Sequence, residues 1–139
     1  MAHVQSRLQI ETHGQGLYEF TRDAVSFCRD SGIQTGLLTL FCCHTSASLT
    51  IQENADPDVI HDLNAFFKRL VQEDPSLYRH TAEGPDDMPA HIRSALTDVS
   101  LNIPVSAGKP MLGTWQGIYL FEHRLRPHSR TVVLHLSGD

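Results

Sequence analysis

The chain has 139 residues, a formal net charge of −5 and 40% hydrophobic residues, which together predict a single compact domain over residues 1–139. Its 11 lysines and arginines form no basic stripe, so nucleic acid is not an expected partner. No run approaches the roughly 20 apolar residues that span a bilayer, and the N-terminus lacks the apolar core of a signal peptide. We therefore expect a soluble cytoplasmic protein with no membrane partner.

Alternating apolar and polar residues predict a half-exposed first strand from Val4 to Thr12. Apolar residues at three- and four-residue intervals then predict an amphipathic helix from Leu17 to Arg29. Thr21 is a suitable cap for this helix and Gly32 a suitable stop.

An apolar strand beginning at Gly36 leads to His44, and its few polar positions predict burial on both faces. A second short apolar run, Leu49–Ile51, ends at Glu53 and Asn54. We expect the two runs to pair as a hairpin, which would bring His44 and Glu53 to neighbouring strand ends.

Two more helices are predicted downstream. The segment Asp56-Pro57-Asp58 is a helix entrance, and this helix should run to about Val71. The apolar residues expected to face the core from it are Val59, Leu63, Phe66, Phe67 and Leu70. After a polar loop, Asp87 is predicted to cap a third helix in which His91 lies one turn later. The last third predicts strands over Val99–Val105, Gly117–Glu122 and Thr131–Leu136.

The cysteines, Cys28, Cys42 and Cys43, are odd in number and form no Cys-x-x-Cys pair. This pattern indicates neither a disulfide framework nor a zinc finger. We interpret all three as reduced, buried thiols.

The first cluster of candidate functional residues is His44 with Ser46, Glu53 and Asn54. A neutral imidazole can ligate a metal or move protons, and a carboxylate can orient it or act as a base. A hydrogen-bonded turn between two strands explains the same pattern equally well.

The second cluster combines His80-x-x-Glu83 with Asp87-x-x-x-His91. Its nitrogen and oxygen donors suit zinc or a similar divalent ion. The alternative is a solvated loop followed by a capped helix.

The third cluster is the segment Gly113–Gly117 followed by Glu122, His123, Arg124 and Arg130. The glycines around Trp115 suggest a bulge or a close backbone approach to a ligand. The indole can stack on a planar ring, and the guanidinium of Arg130 can hold an anionic group. From the pattern alone, a core tryptophan with surface charges is the favoured interpretation.

These segments also resemble a known family. His44 to Asn54, Glu83-Gly84 with Asp87 to His91, and Leu112 to Gly117 are together similar to the YjbQ family, which is associated with a secondary thiamine-phosphate synthase activity. The likeness covers nearly the whole chain, with several motifs in the same order.

The resemblance implies an α+β fold with mostly antiparallel, sandwich-like sheets, about three helices and assembly as a homotrimer. It implies a pocket with a divalent metal, zinc or magnesium, on His44, His80, His91 and Asp87. The implied catalytic residues are Glu53, Asn54 and His91. The residues expected to bind a phosphorylated small-molecule substrate are Ser46, Trp115, Gln116 and Arg130.

The leading hypothesis is therefore a metal-binding enzyme that joins a pyrimidine methyl diphosphate to a thiazole phosphate as a secondary activity. A non-catalytic trimeric module that binds a small anionic metabolite is the first alternative. A metal-dependent hydrolase of phosphate esters is the second.

Overall fold

A computed structural model describes residues 1–139, which form eight strands and three α-helices. The strands are β1 (Ala2–Thr12), β2 (Gly16–Glu19), β3 (Gly36–Cys42), β4 (Ala47–Glu53), β5 (Ser100–Ser106), β6 (Lys109–Pro110), β7 (Gln116–Glu122) and β8 (His128–Gly138). The helices are α1 (Thr21–Ser31), α2 (Pro57–Leu70) and α3 (Asp87–Leu96), with a short 3-10 helix at Pro75–Leu77. None of them is long and apolar enough to cross a membrane.

The strands form two sheets that share one core. The five-stranded sheet has the order β1-β8-β3-β5-β6 and the three-stranded sheet the order β2-β7-β4, and neighbouring strands are antiparallel. A continuous cluster of 16 buried apolar residues, among them Leu40, Leu49 and Leu120, draws on both sheets. The predicted α+β class with mostly antiparallel sheets and three helices is confirmed.

The first and last strands are joined over their full length. β1 pairs with β8 from Ala2 opposite Gly138 to Thr12 opposite His128. On its other side β8 pairs with β3, and there the backbones approach so closely that a Cβ on Gly138 would lie 2.0 Å from the carbonyl oxygen of Thr35. Only glycine fits at that position, which also has φ of 158°.

The predicted hairpin between the third and fourth strands is wrong. β3 pairs with β5 and β8, whereas β4 pairs with β7 in the other sheet. The short connection after β3 therefore carries the chain across the core from one sheet to the other. His44 and Glu53 consequently lie at opposite ends of β4.

The prediction that β3 is buried on both faces is also wrong. Leu38, Leu40 and Cys42 are buried, whereas Leu37 and Phe41 are 42% and 46% exposed. The strand thus alternates as one whose second face is uncovered in the isolated chain. The strand was predicted to be buried on both faces because its outward-facing residues, Leu37 and Phe41, are also apolar.

The first predicted helix begins later than expected, because Gly16–Glu19 is a strand that pairs with β7. Phe20 occupies the cap position of α1 without a side-chain bond, and the Thr21 hydroxyl donates instead to Glu19 Oε2 (2.7 Å). The predicted Thr21 cap is therefore wrong. Gly32 ends α1 in the left-handed conformation as predicted, with φ of 75°.

The start of α2 agrees with the prediction, because Asp56 Oδ1 accepts a hydrogen bond from the Asp58 amide (2.9 Å). Its apolar stripe is not buried, however, since no residue of α2 is fully covered. Phe67 packs edge-on against Phe121 with ring centroids 5.2 Å apart. α2 therefore lies on the surface of the domain, with only part of its stripe in contact.

Candidate functional site

His80, Asp87 and His91 converge at the start of α3. Asp87 is the first residue of the helix rather than its cap, and the cap position belongs to Asp86. Asp87 Oδ2 lies 2.5 Å from His80 Nε2 and 3.2 Å from His91 Nε2. All three ligand atoms lie within 4.8 Å of one another. Because Asp87 and His91 are four residues apart on a helix, both side chains project from the same face.

The proton positions on His91 are constrained by its neighbours. Its Nδ1 lies 2.9 Å from the carbonyl oxygen of Thr45, which can only accept. Nδ1 must therefore carry the proton, and in the neutral ring Nε2 then directs a lone pair at the carboxylate of Asp87. Two acceptors facing each other repel unless a proton or a metal ion lies between them. A histidine whose second nitrogen donates to a backbone carbonyl is typical of metal sites.

Arg124, which follows β7, holds the carboxylates at this site. Its Nη1 donates to Asp87 Oδ1 (2.7 Å), its Nε to Asp86 Oδ2 (2.9 Å) and its Nη2 to the carbonyl of Glu83 (3.0 Å). Burial alone raises the pKa of Asp87, but the hydrogen bond from His80 and the charge of Arg124 outweigh it. The pKa therefore lies below its ordinary value and the carboxylate stays charged.

The sequence pattern placed Arg124 in the third cluster, but it gave Arg124 no role and did not link it to Asp87. Arg124 is separated from Asp87 by 37 positions, and no spacing rule links the end of one strand to the start of a distant helix.

The donor set of this cluster fits a divalent metal ion. It offers two imidazole nitrogens and one charged carboxylate oxygen, which suits zinc and leaves a coordination position open. Magnesium prefers a shell of oxygens and fits less well. Asp87 is 2% exposed, while the side chains of His80 and His91 are 45% and 32% exposed. The carboxylate thus lies at the base of the cluster and the imidazoles at its open side.

His44, the fourth predicted ligand, is not part of this cluster. Its Nε2 accepts a hydrogen bond from the amide of Thr131 in β8 (2.8 Å). Burial, followed by the charge of Arg130, lowers the pKa of His44, which favours the neutral ring. With Nε2 acting as an acceptor, the proton of the neutral ring lies on Nδ1.

Arg130 forms a buried ion pair with Glu122. Its Nε and Nη2 donate to the two carboxylate oxygens of Glu122 at 2.7 and 2.5 Å. Nη2 also donates to the Ser46 hydroxyl (3.0 Å), and Thr12 donates to Glu122 (2.6 Å). Arg130 is 4% exposed and Glu122 is 0% exposed. Both predicted substrate contacts, Arg130 and Ser46, therefore lie in a structural network that links β1, β7 and β8 to the turn before β4.

The remaining predicted residues gather at the other end of the three-stranded sheet, where Glu53 is paired with Gln116. The Asn54 amide donates to the carbonyl of Trp115 (3.0 Å), and its side chain donates to Glu19 Oε2 (3.0 Å). Seven residues of β4 separate this group from the first polar end, a distance of about 20 Å. A single chain thus has two polar sites instead of the one shared cavity that was expected.

Trp115 is 61% exposed, so the core position favoured by the pattern alone is wrong. The neighbouring Gly117 is required by a close contact, because a Cβ there would lie 2.8 Å from Glu19 Oε2 and 3.0 Å from Asn54 Cβ. The predicted close approach is therefore to side chains of the same protein. The pairing of β4 with β7 continues through Gly117 without a bulge.

A surface cavity of about 520 Å³ adjoins the His80, Asp87 and His91 cluster. It is lined by Phe41, Cys42, Cys43, His44, Thr45, Ser46 and Val99. Thr45 belongs to both features, since its carbonyl accepts from His91. Cys43 is exposed, contrary to the prediction that all three thiols are buried, whereas Cys28 and Cys42 are buried as expected.

Known proteins resemble this chain over nearly its full length. The model of the family described as UPF0047 protein YjbQ-like matches residues 6–139. The UPF0047 protein sll1880 of Synechocystis is 56% identical, covering 97% of this chain and 92% of that protein. The UPF0047 protein YjbQ of Escherichia coli O157:H7 is 42% identical, covering 97% and 98%. The crystal structure of hypothetical protein APE1520 from Aeropyrum pernix superposes with a TM-score of 0.88 at 26% identity, covering 98% and 99%. The chain belongs to the UPF0047 family of YjbQ-like proteins.

Proposed function

We propose that this protein is an enzyme that binds a divalent metal ion, preferably zinc, on His80, Asp87 and His91 and acts on a small phosphorylated molecule. The observation that carries the proposal is the placement of His91 between two acceptors, the Thr45 carbonyl and Asp87. That arrangement is satisfied when a cation lies between Nε2 and the carboxylate. Three protein ligands leave a position for substrate, as in catalytic rather than structural zinc sites.

The neighbouring side chains have separate roles in this proposal. Arg124 keeps Asp87 charged and oriented through Oδ1, which leaves Oδ2 for the ion. The 520 Å³ cavity beside Thr45 receives the substrate, and the Nδ1 proton of neutral His44 is donated to a phosphate oxygen. A bound divalent ion supplies positive charge that stabilises the charge developing on a departing diphosphate.

The specific reaction we propose is the one implied by the family resemblance. The nitrogen of a thiazole phosphate attacks the methylene of a pyrimidine methyl diphosphate, so that a C–N bond forms while the C–O bond to diphosphate breaks. The products are thiamine phosphate and diphosphate. No proton donor is required in this step beyond those that neutralise the leaving group.

The test compares the unmodified protein, His91→Ala and the matched control His61→Ala, in which an exposed histidine of α2 is removed. Each is loaded with zinc, its metal content is measured, and it is incubated with the two precursors. We expect one zinc per chain and product formation in the first and third proteins, and loss of both in His91→Ala. Equal zinc content and turnover in all three would exclude the proposed site.

Two other outcomes correspond to the alternatives. Recovery of bound, unchanged metabolite after long incubation would indicate a binding module, because such a site needs converging donors but no reacting groups. Release of inorganic phosphate from a phosphate ester, without joining of the precursors, would indicate a hydrolase. The open position at the three-ligand set favours an enzyme over the binding module.

We also propose that the protein is a homotrimer in which the second polar site, with Glu53, Asn54, Trp115 and Gln116, completes the metal site of a neighbouring copy. Support comes from the separation of the two sites by the length of β4 and from the exposed apolar residues near them. Trp115 is 61% exposed, Met111 63%, Val99 48% and Phe41 46%. A head-to-tail ring brings opposite ends of one subunit against each other in successive copies.

Mixed assemblies test this arrangement directly. His91→Ala and Glu53→Gln are each expected to be inactive alone. If sites are shared between subunits, trimers assembled from both variants regain activity, because some sites receive an intact His91 from one copy and an intact Glu53 from the next. A monomeric mass by light scattering, or mixtures that stay inactive, would contradict the shared site.

We also propose a cytoplasmic location, because all three cysteines are free thiols.

A further inference from the structure

His123, which follows β7, contains the one buried side-chain nitrogen or oxygen without a hydrogen-bond partner. The residue is 1% exposed, and its Nδ1 is the unpaired atom. Its Nε2 lies 2.9 Å from the Ser48 hydroxyl, which is itself fully buried. A buried polar atom without a partner costs about 1–3 kcal/mol, so its presence calls for a physical explanation.

A chain of hydrogen bonds determines which ring nitrogen carries the proton. Thr97 Oγ1 lies 2.8 Å from the carbonyl of Arg93 and 2.6 Å from Ser48 Oγ. The carbonyl can only accept, so the Thr97 proton is donated to it. Ser48 then donates to Thr97, and His123 Nε2 donates to Ser48. Nδ1 is left with a lone pair, which is a buried acceptor.

His123 lies beside a polar groove. It lines a partly open space of about 10 Å³, which holds one oxygen-sized group, together with Asn64, Lys68, Arg93 and Glu122, whose charge is paired with that of Arg130. The space shares Gln15, Lys68 and Arg93 with an open groove of about 400 Å³. The groove and this small space have no residue in common with the His80, Asp87 and His91 cluster.

Arg93 brings an unpaired positive charge to the same groove. It is 3% exposed, and its Nε and Nη2 donate to the carbonyls of Phe67 and Val71 at the end of α2 (3.4 and 2.8 Å). Its Nη1 has no protein acceptor, and no carboxylate forms an ion pair with the guanidinium. Glu73 is the one acidic residue of the 400 Å³ groove, and it is outnumbered there by Lys68 and Arg93.

We propose that this groove binds inorganic phosphate, with one P–OH group donating to His123 Nδ1 and the charged oxygens facing Arg93 and Lys68. Two cations attract any small oxyanion, but the buried lone pair needs a donor. Inorganic phosphate keeps a protonated oxygen at neutral pH and sulfate does not, so the site discriminates between two anions of nearly equal size. A site built to accept a hydrogen bond rejects an analogue that lacks the donor.

Calorimetric titration of the unmodified protein with phosphate and with sulfate tests the proposal. We expect phosphate to bind at least about tenfold more tightly, because sulfate would place an acceptor against the lone pair. In Lys68→Gln the dissociation constant for phosphate should rise about tenfold. The matched control Lys109→Gln removes an exposed lysine in β6, outside the groove, and should bind like the unmodified protein.

Equal affinity for phosphate and sulfate, undetectable binding of phosphate, or unchanged binding by Lys68→Gln would each overturn the proposal. Lys68 is exposed and makes no hydrogen bond to the protein, so its substitution does not put folding at risk. His91→Ala should bind phosphate in this groove normally, since the groove does not depend on the metal cluster. Failure of this proposal is thereby distinguished from failure of the proposed enzymatic function.

Discussion

Arg124 Nη1 lies 2.7 Å from Asp87 Oδ1, while the other oxygen of the same carboxylate faces His80 and His91. The two oxygens of Asp87 thus have different partners, a fixed cation on one side and two imidazoles on the other. Because Arg124 also binds Asp86, one guanidinium holds both acidic residues at the start of α3. The cluster is therefore built on a rigid support.

Substitution of Arg124 by glutamine should destabilise the fold and weaken metal binding together. The loss of the guanidinium leaves the largely buried carboxylates of Asp86 and Asp87 without their fixed cation, which costs about 3 kcal/mol. It also misorients a ligand, which lowers metal affinity at least about tenfold. Urea unfolding and zinc titration measure the two effects. Arg126→Gln removes an exposed arginine nearby and should change neither. Unchanged zinc affinity in Arg124→Gln would show that Arg124 does not orient the site.

The ion pair of Arg130 with Glu122 should contribute to folding rather than to substrate binding. Arg130→Met leaves a fully buried carboxylate without its cation, and we expect a loss of about 4 kcal/mol in the free energy of unfolding. The double variant Arg130→Met with Glu122→Leu should lose less than the sum of the two single variants, by at least about 1 kcal/mol, because neither charge remains unpaired. Denaturant unfolding of the unmodified protein, the two single variants and the double variant completes the double-mutant cycle. Strict additivity would mean that the two side chains do not interact.

The free energy of unfolding should decrease as the pH falls, because the buried His123 stays neutral in the folded protein. Burial, followed by the charge of Arg93, lowers the pKa of this imidazole from 6.5 to about 3. The unfolded chain takes up a proton near pH 6.5 that the folded chain does not take up until about pH 3. The free energy of unfolding therefore falls by up to about 1.4 kcal/mol per pH unit across that window. Urea titrations at pH 7, 6 and 5 give the slope of the free energy of unfolding against pH. In His123→Gln this slope should be smaller, by the equivalent of about one proton, than in the unmodified protein. Identical slopes in the two proteins would contradict the lowered pKa of His123.

Only one thiol should be reactive in the folded protein. Burial raises the pKa of Cys28 and of Cys42 to about 11, whereas Cys43 is exposed. Because the thiolate is the reactive form, a colorimetric thiol reagent at pH 8 should titrate one equivalent in native protein and three in denaturant. Cys43→Ser should give none in the native state. Two or more rapidly reacting thiols in the native protein would show that a buried cysteine becomes accessible.

Local patterns predicted most elements of the fold but not their pairing. Alternation identified β1, a run of apolar residues identified β8, and Asp56 with Pro57 identified the start of α2, because these signals depend on residues close in sequence. The partners of β3 and β4 depend on contacts between segments as distant as Leu49 and Leu120, which no local period encodes. The strand β2 was missed because its four residues carry apolar spacing that also fits a helix.

The candidate site was likewise predicted where it depends on local spacing and not where it depends on contacts between distant segments. Asp87 and His91 were predicted together because a helix places i and i+4 residues on one face, and His80 was added because the loop before the helix is rich in possible metal donors. Arg124 binds Asp87 and the Thr45 carbonyl accepts from His91. Both partners come from distant segments, so the sequence spacing did not indicate these contacts. His44 and Arg130 have the chemistry of a ligand and an anion clamp, but Thr131 and Glu122 already occupy them. Residue type indicates what a side chain can do, and its neighbours determine what remains available.

β4 connects the two polar ends of the three-stranded sheet. The chain should therefore tolerate inserted residues in some segments and not in others. One residue inserted within β4 would reverse the faces of every position beyond it and displace both ends at once. One residue inserted into the exposed segment between α2 and α3 would shift His80 while leaving Asp87 and His91 in their helical spacing. Natural length variation is therefore expected in that segment and not in β4.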